Sequence, residues 1–387
     1  MTRPVCVSAA ELVSALGPDL CAAMEAWSAG NSGLSAVPEN EPGFSAEAFR
    51  PALWGRIVDR SVLKGRRYGA ASNLAVHVAR RAVERAGWSA AERRDAWIFA
   101  ASSRGNAAEL LGAHGWRRPV RRLVASNTLH SEIAAAVSIE LGMEGPWQMV
   151  SNGCASGLDA LGFAWRAVAS GWTARALVVA SELPLVPALL RDFCDAGLLA
   201  RDALNDLMSP ASSGFHPAEA GVALVVESED VVRAPWCRLT GYEANSDAYD
   251  ALASPPDGRG LARLLGRRLV QETPGLVCPH TTGTRSHAVS EEAACVRAWS
   301  EIPGGCPPLL PLKTLTGHTL GASGLVDTAL LAGAFLRGSF PGLPPCLSVP
   351  AGMRILDAPL AAERAGVVWK VASAMGGHNG VVALRAV

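Results

Sequence analysis

Val150-Ser151-Asn152-Gly153-Cys154-Ala155-Ser156-Gly157-Leu158-Asp159-Ala160 is the stretch around which the chain is organised. An apolar run from Pro146 to Val150 ends in an Asn-Gly turn. Leu158, Leu161, Trp165 and Val168 then recur at helical spacing. Cys154 stands at the head of that helical pattern. A sulfur there lies beside unpaired backbone N–H groups and the positive end of the helix dipole, which both favour thiolate over thiol. Gly153, Ala155, Ser156 and Gly157 are small enough to let a substrate carbonyl approach the backbone. The pattern reads as a strand, a turn and a helix presenting a nucleophile. Its rival reading is an inert buried cysteine, the commoner fate of a lone cysteine in an apolar chain.

Outward from Cys154, the chain repeats itself. Cys154-Ala-Ser-Gly-Leu, with Gly171 closing its helix, is echoed by Gly321-Ala-Ser-Gly-Leu, with Gly338 closing the second; the offset is 321 − 154 = 167 in both cases. Apolar runs at 96–101, 176–180, 221–227 and 276–278 read as buried strands, and they alternate with helical patterns at 64–87, 131–141, 261–271 and 289–299. That alternation predicts a parallel sheet covered by helices. Val5 to Val7 reads as a short strand followed by a helix over 9–29, residues 183–213 as loop-rich, and 366–387 as a hairpin turning at Gly376-Gly377-His378-Asn379.

Composition narrows the function classes. Lys+Arg and Asp+Glu number 35 each in 387 residues, which gives no electrostatic footprint for nucleic acid. The cysteines number nine, an odd count without a Cys-x-x-Cys pair. This speaks against a disulfide framework or structural zinc and for a reducing compartment. The start of the chain lacks the apolar core of a signal peptide, and no run of eighteen apolar residues suggests a membrane span. A cytoplasmic protein with no metal is the expectation.

Two further motifs accompany the cysteine: Pro279-His280-Thr281-Thr282-Gly283-Thr284, and Lys313 to Gly324 with the pattern Lys-x-x-x-Gly-His-x-x-Gly-Ala-Ser-Gly. In this order and spacing the chain resembles the elongating β-ketoacyl-acyl carrier protein synthases, over nearly its whole length. Gly214 to Ala220 and Ala372 to Asn379 resemble the family's Gly-Phe-x-x-Gly-Glu-Gly segment and closing glycine turn. The resemblance implies an α/β thiolase fold, two duplicated halves (1–232 with the cysteine, 233–387 with the histidines) forming a layered αβαβα core. It implies decarboxylative Claisen condensation of a malonyl thioester with an acyl chain held on Cys154. His280 and His318 would serve the enolate, and the backbone N–H groups of Cys154 and Met375 the tetrahedral oxyanion. Lys313 and Glu219 would form a buried ion pair that orients the histidines. Thr282, Thr284, Met375 and Gly376 would contact substrate, with the two hydroxyls on the phosphopantetheine arm of an acyl carrier protein; no further cofactor is implied. The family also implies a homodimer, or a heterodimer with a related chain, with the run at 176–180 as an edge strand that pairs across the two-fold axis. Basic residues at 64–67 and 117–122 are candidates for docking the acidic carrier.

Departures accompany the match. Met375 replaces the gatekeeper aromatic, Thr281 a glycine and Ala288 an acidic residue, and the usual Thr-Gly-x-Gly is Ser8-Ala9-Ala10-Glu11. They suggest a specialised synthase of polyketide or polyene type. The alternative is a chain-length-factor-like partner of an active synthase, although such partners typically lose the cysteine. A degradative thiolase would carry a second cysteine in the closing turn, where this chain has His378. His216, His287 and His378 are expected to be surface or structural residues.

Overall fold

Ten consecutive residues, Val5–Ser14, are buried and form a single long strand at the centre of the molecule. The computed structural model describes residues 2–44, 51–111, 123–209, 211–266, 272–300, 302, 304–344 and 348–387. Their main sheet contains β1 Val5–Ser14, β2 Trp97–Ala101, β3 Trp147–Val150, β4 Arg175–Glu182, β5 Ala220–Ser228, β6 Cys237–Ser246, β7 Leu276–Cys278, β8 Val367–Ser373 and β9 His378–Arg385. The order across it is β3-β2-β4-β5-β1-β6-β9-β8-β7.

This order contains one pattern twice. β2 runs parallel to β3 and β4, β4 antiparallel to β5, and β5 antiparallel to β1. In the other half β7 runs parallel to β8, β8 antiparallel to β9, and β9 antiparallel to β6. A parallel bridge from Val277 to Leu309 stands where the first half has β3. The two runs join where β1 meets β6 over Val5–Val7.

The helices around this sheet include α1 Ala70–Ala86, α2 Glu132–Leu141, α3 Ser156–Ala169, α4 Pro187–Asp195, α5 Arg259–Leu265, α6 Arg285–Trp299 and α7 Ser323–Leu336. α3 and α7 pack against each other and between the two halves of the sheet. α1 and α2 cover one outer side, α5 and α6 the other. Both central helices have 14 residues and follow a one-turn 3₁₀ segment, Gly153–Ala155 and Leu320–Ala322, so the offset of 167 is structural. Glycine lets them touch: a Cβ on Gly324 would lie 2.8 Å from the Cβ of Leu158, and one on Gly157 would lie 3.0 Å from the carbonyl of Gly321.

Several expectations change. The segment read as a helix over 9–29 is strand to Ser14, with a helix only over Leu20–Ser28, capped by the Asp19 side chain on the N–H of Ala22. Burial of every residue of β1 overrides the helical preference of Ala9, Ala10 and Glu11. The run at 176–180 is not at an edge, since β4 lies between β2 and β5. Among the described residues the first-half edge is β3, where Trp147 is 45% exposed. The stretch 183–213 is loop-rich as expected and holds α4, started by Pro187. Positions 117–122 and 267–271 lie outside the described residues. No helix among those described is long and apolar enough to cross a membrane.

Candidate active site

Cys154 owes its position to the turn before it. Gly153 takes φ 57°, a left-handed conformation that favours glycine. The turn is braced by Ser156, whose Oγ accepts from the Asn152 N–H at 2.9 Å and donates to the Gly153 carbonyl at 2.5 Å. Asn152 Nδ2 donates to Asp159 at 2.7 Å, and Asp159 also meets the Tyr242 hydroxyl at 2.8 Å and His378 at 2.7 Å. Asp159 also holds the His378 imidazole above its ordinary pKa against the opposing effect of burial.

A cavity of about 60 Å³ opens over this turn. Cys154, His280 and His318 line it with Thr282, Thr284, Met375 and Phe215. His318 Nε2 lies 3.2 Å from the Cys154 sulfur, and the two imidazoles are 5.6 Å apart, nearly perpendicular. Each catalytic candidate arrives on a different loop: Cys154 before α3, His280 after β7, His318 before α7. His318 is anchored by its N–H on the His216 carbonyl at 2.8 Å. Thr282 and Thr284 hydroxyls are 2.9 Å apart on the cavity wall. Gly376 does not line the cavity. At φ 85° it shapes the closing turn and donates its N–H to the Ala251 carbonyl at 2.9 Å.

The electrostatics differ from the expectation at the cysteine. Burial pushes its thiol up to about 12, with Lys313 acting weakly the other way. Withdrawal from water costs an anion more here than the helix end returns, so the resting sulfur carries its proton. The adjacent His318 nitrogen is the group within reach of that proton. Burial, reinforced by Lys313, also holds both His280 and His318 well below their ordinary pKa, so both rings are neutral.

The expected Lys313–Glu219 pair does not form. Glu219 accepts from Arg60 and from the N–H of Ile57 at 3.1 Å. Lys313 instead donates to the His280 carbonyl and faces Asp327 Oδ2 at 3.4 Å. Asp327 lies on α7, one residue among Leu325, Val326 and Ala329, all fully buried. The strand that follows Glu219 carries it toward the 55–60 segment instead, where Gly55 also accepts from its N–H.

His287, expected to be a surface or structural residue, is buried and lies one turn before Glu291 on α6, a residue that sequence reasoning passed over. His287 lines the cavity, with its ring 5.0 Å from that of His280. Glu291 accepts from the N–H groups of His280 at 2.7 Å and Thr281 at 2.9 Å. Burial would raise its carboxyl, but His287 and these N–H groups outweigh it and hold it at about 2. The i, i+4 spacing of a histidine and a glutamate on a helix entering from the His280 loop was the available signal. His216 is buried, with Nε2 3.0 Å from the Leu204 carbonyl, a structural role as expected.

Residues 3–231 match the model of the β-ketoacyl synthase N-terminal domain, and 236–346 that of its C-terminal domain. The chain belongs to the β-ketoacyl synthase family. A curated relative is the tetracenomycin polyketide synthase ketoacyl synthase alpha subunit of Streptomyces glaucescens, 29% identical over 54% of this chain and 53% of that protein. The chain spans about half to three fifths of the length of such relatives. Two solved structures superpose over all of both chains at 22% identity. One is the ishigamide ketosynthase/chain length factor (TM-score 0.87), the other a type II polyketide synthase acyl-carrier protein in complex with its ketosynthase bound to the hexaketide (TM-score 0.86). The chain therefore has the thiolase fold of those ketosynthases.

Proposed function

We propose that this β-ketoacyl synthase extends an acyl chain held on Cys154 by decarboxylative condensation with a malonyl group, both delivered on the phosphopantetheine arm of an acyl carrier protein. The observation that carries this reading is the convergence of Cys154, His280 and His318 on one cavity, with the sulfur 3.2 Å from an imidazole nitrogen.

In the first half-reaction the Cys154 sulfur attacks the acyl thioester, and its proton passes through His318 Nε2 to the departing pantetheine sulfur. In the second, the carbon–carboxylate bond of the malonyl thioester breaks, CO₂ leaves, and the electron pair forms an enolate. Its oxygen accepts from the N–H of the neutral His280 and His318 rings. The enolate carbon then bonds to the acyl carbonyl carbon, and Cys154 leaves as thiolate. Backbone N–H groups of Cys154 and Met375 would receive the oxyanion, both residues being on the cavity wall. Thr282 and Thr284 would hold the pantetheine arm. The two family-model matches fit the proposed division into halves at 1–232 and 233–387.

A second chain, identical or related, is proposed to pair along β3. Among the described residues that strand has a neighbouring strand on one side only, and Trp147 on it is exposed, the kind of edge a partner covers; the ishigamide structure is of a ketosynthase/chain length factor. The deciding experiment is mass spectrometry after mixing the protein with acyl-carrier and malonyl-carrier substrates. A β-ketoacyl carrier product supports the reading; hydrolysis alone, or no acyl adduct, refutes it.

A further inference from the structure

Lys370 is completely buried in β8, yet nothing in the proposed chemistry uses it. Its Nζ lies 2.6 Å from Asp327 Oδ2, donates to the Pro279 carbonyl at 2.9 Å and approaches the Cys278 sulfur at 3.6 Å. Lys313 shares the same aspartate oxygen and holds the next carbonyl along, that of His280. From the other side Glu291 takes the N–H groups of His280 and Thr281. Two ammonium groups and one carboxylate therefore hold successive peptide units of the loop that carries His280.

The loop needs that grip. Thr281 has φ 35°, a conformation that is costly for a β-branched residue and persists only when the surroundings over-determine it. Lysine is also a costly way to fill a core position, since a methionine of similar length would need no buried counter-charge. Burial disfavours both ammonium groups, but the close contact with Asp327 keeps the Lys370 proton in place, while Lys313, farther from that oxygen and facing Lys370, is pulled downward.

We propose that Lys370 is a positioning residue for malonyl decarboxylation: it pins the Pro279 carbonyl so that the loop presents the His280 ring to the enolate. This rests on the condensing function proposed above. Cys154 loading does not require His280 and should not feel the change.

The test compares wild type, Lys370→Met, which has no donor, and Lys370→Gln, which keeps a donor for the Pro279 carbonyl. Lys370→Met should load acyl groups on Cys154 within about twofold of wild type but release CO₂ at least about tenfold more slowly, the scale of one lost charge-assisted hydrogen bond. Backbone hydrogen exchange over 279–284 should accelerate. Lys370→Gln should recover CO₂ release to within about threefold, because the donor and not the charge does the pinning. Lys370→Met matching wild type in CO₂ release and exchange overturns the inference. So does parallel loss of loading and CO₂ release that Lys370→Gln fails to restore.

If wild type neither loads nor decarboxylates, the functional reading fails, and the inference is judged on exchange over 279–284 alone. If Lys370→Met does not fold, Lys370→Gln carries the test: its fall in CO₂ release, up to about threefold, should exceed any fall in loading, and equal falls, or wild-type values of both, overturn the inference.

Discussion

The two helix heads at 153–156 and 320–323 have the same backbone and opposite uses. Each is a 3₁₀ turn that begins with a left-handed residue, Gly153 (φ 57°) in one and Leu320 (φ 42°) in the other, and runs into a 14-residue helix. At the first head the second residue is Cys154, whose sulfur faces the cavity. At the second it is Gly321, wedged against the 102–103 backbone and the Glu182 carboxyl. Glu182 accepts from the N–H groups of Gly321 at 3.1 Å, Ser103 at 2.7 Å and Arg104 at 3.0 Å, which seals that end completely. One head is left open to substrate; the other is closed by an internal carboxyl. A duplicated element thus yields one reactive group and one packing surface, and the closed head supports the open one by placing His318 beside it.

The largest expected effect tests the open head. Cys154→Ala should abolish the acyl adduct in intact mass measurements and slow condensation by at least about a thousandfold, as loss of a covalent nucleophile does. An adduct on another cysteine would contradict the comparison.

The next test separates the two histidines. His280→Ala should load acyl groups normally yet release CO₂ about tenfold to a hundredfold more slowly. His318→Ala should be slow in both steps, because the buried thiol, pushed up to about 12, needs its nitrogen as proton acceptor. Equal loading in the two variants would mean the sulfur deprotonates without help. The sign of the pH effect follows from burial: both rings are held below 6.5, so decarboxylation should persist as pH falls through that value and fail only well beneath it. Tm should meanwhile decline below about 6.5, where the unfolded chain binds protons that the folded rings refuse.

Gly321→Ala tests the closed head. Its Cβ would lie 2.6 Å from Glu182 Oε2 and press on the Ser103 amide. The overpacking cost is about 1–3 kcal/mol, read as a lower Tm or denaturation midpoint. An unchanged midpoint would show that this head has room after all.

The smallest expected effect concerns the cavity wall. Met375→Phe should slow long acyl chains relative to short ones by about tenfold in kcat/KM, since a rigid ring replaces a flexible chain. An unchanged ratio would place chain-length control elsewhere.

Much of this site was legible because its chemistry sits at chain punctuation. Asn152-Gly153 before Cys154, and the small residues around 321–324, signal turns and close helix contact without any structure. The ion partner of Lys313 was harder to read. Glu219 stands in a polar, glycine-flanked segment that looks like a functional loop, whereas Asp327 stands inside an apolar helix. The aspartate was nonetheless the stronger signal, since an acid with Leu325, Val326 and Ala329 around it must meet a buried cation. The edge strand was misjudged for a related reason. The apolar run 176–180 belongs to a strand covered on both sides, while β3, with Trp147 and Gln148 exposed, shows the mixed character of a sheet margin. Lys370 left no trace, because a single lysine between Trp369 and Val371 reads as an ordinary outward-facing position.

The margin formed by β3 runs directly into the catalytic turn, with only Ser151, Asn152 and Gly153 between its last residue and Cys154. Whatever chain covers that margin therefore braces the nucleophile as well. With the proposed partner on that margin, turnover per molecule becomes a function of protein concentration: specific activity should sag on dilution below the dissociation constant and recover when the partner is supplied in excess. An enzyme built this way reports its own assembly through its rate.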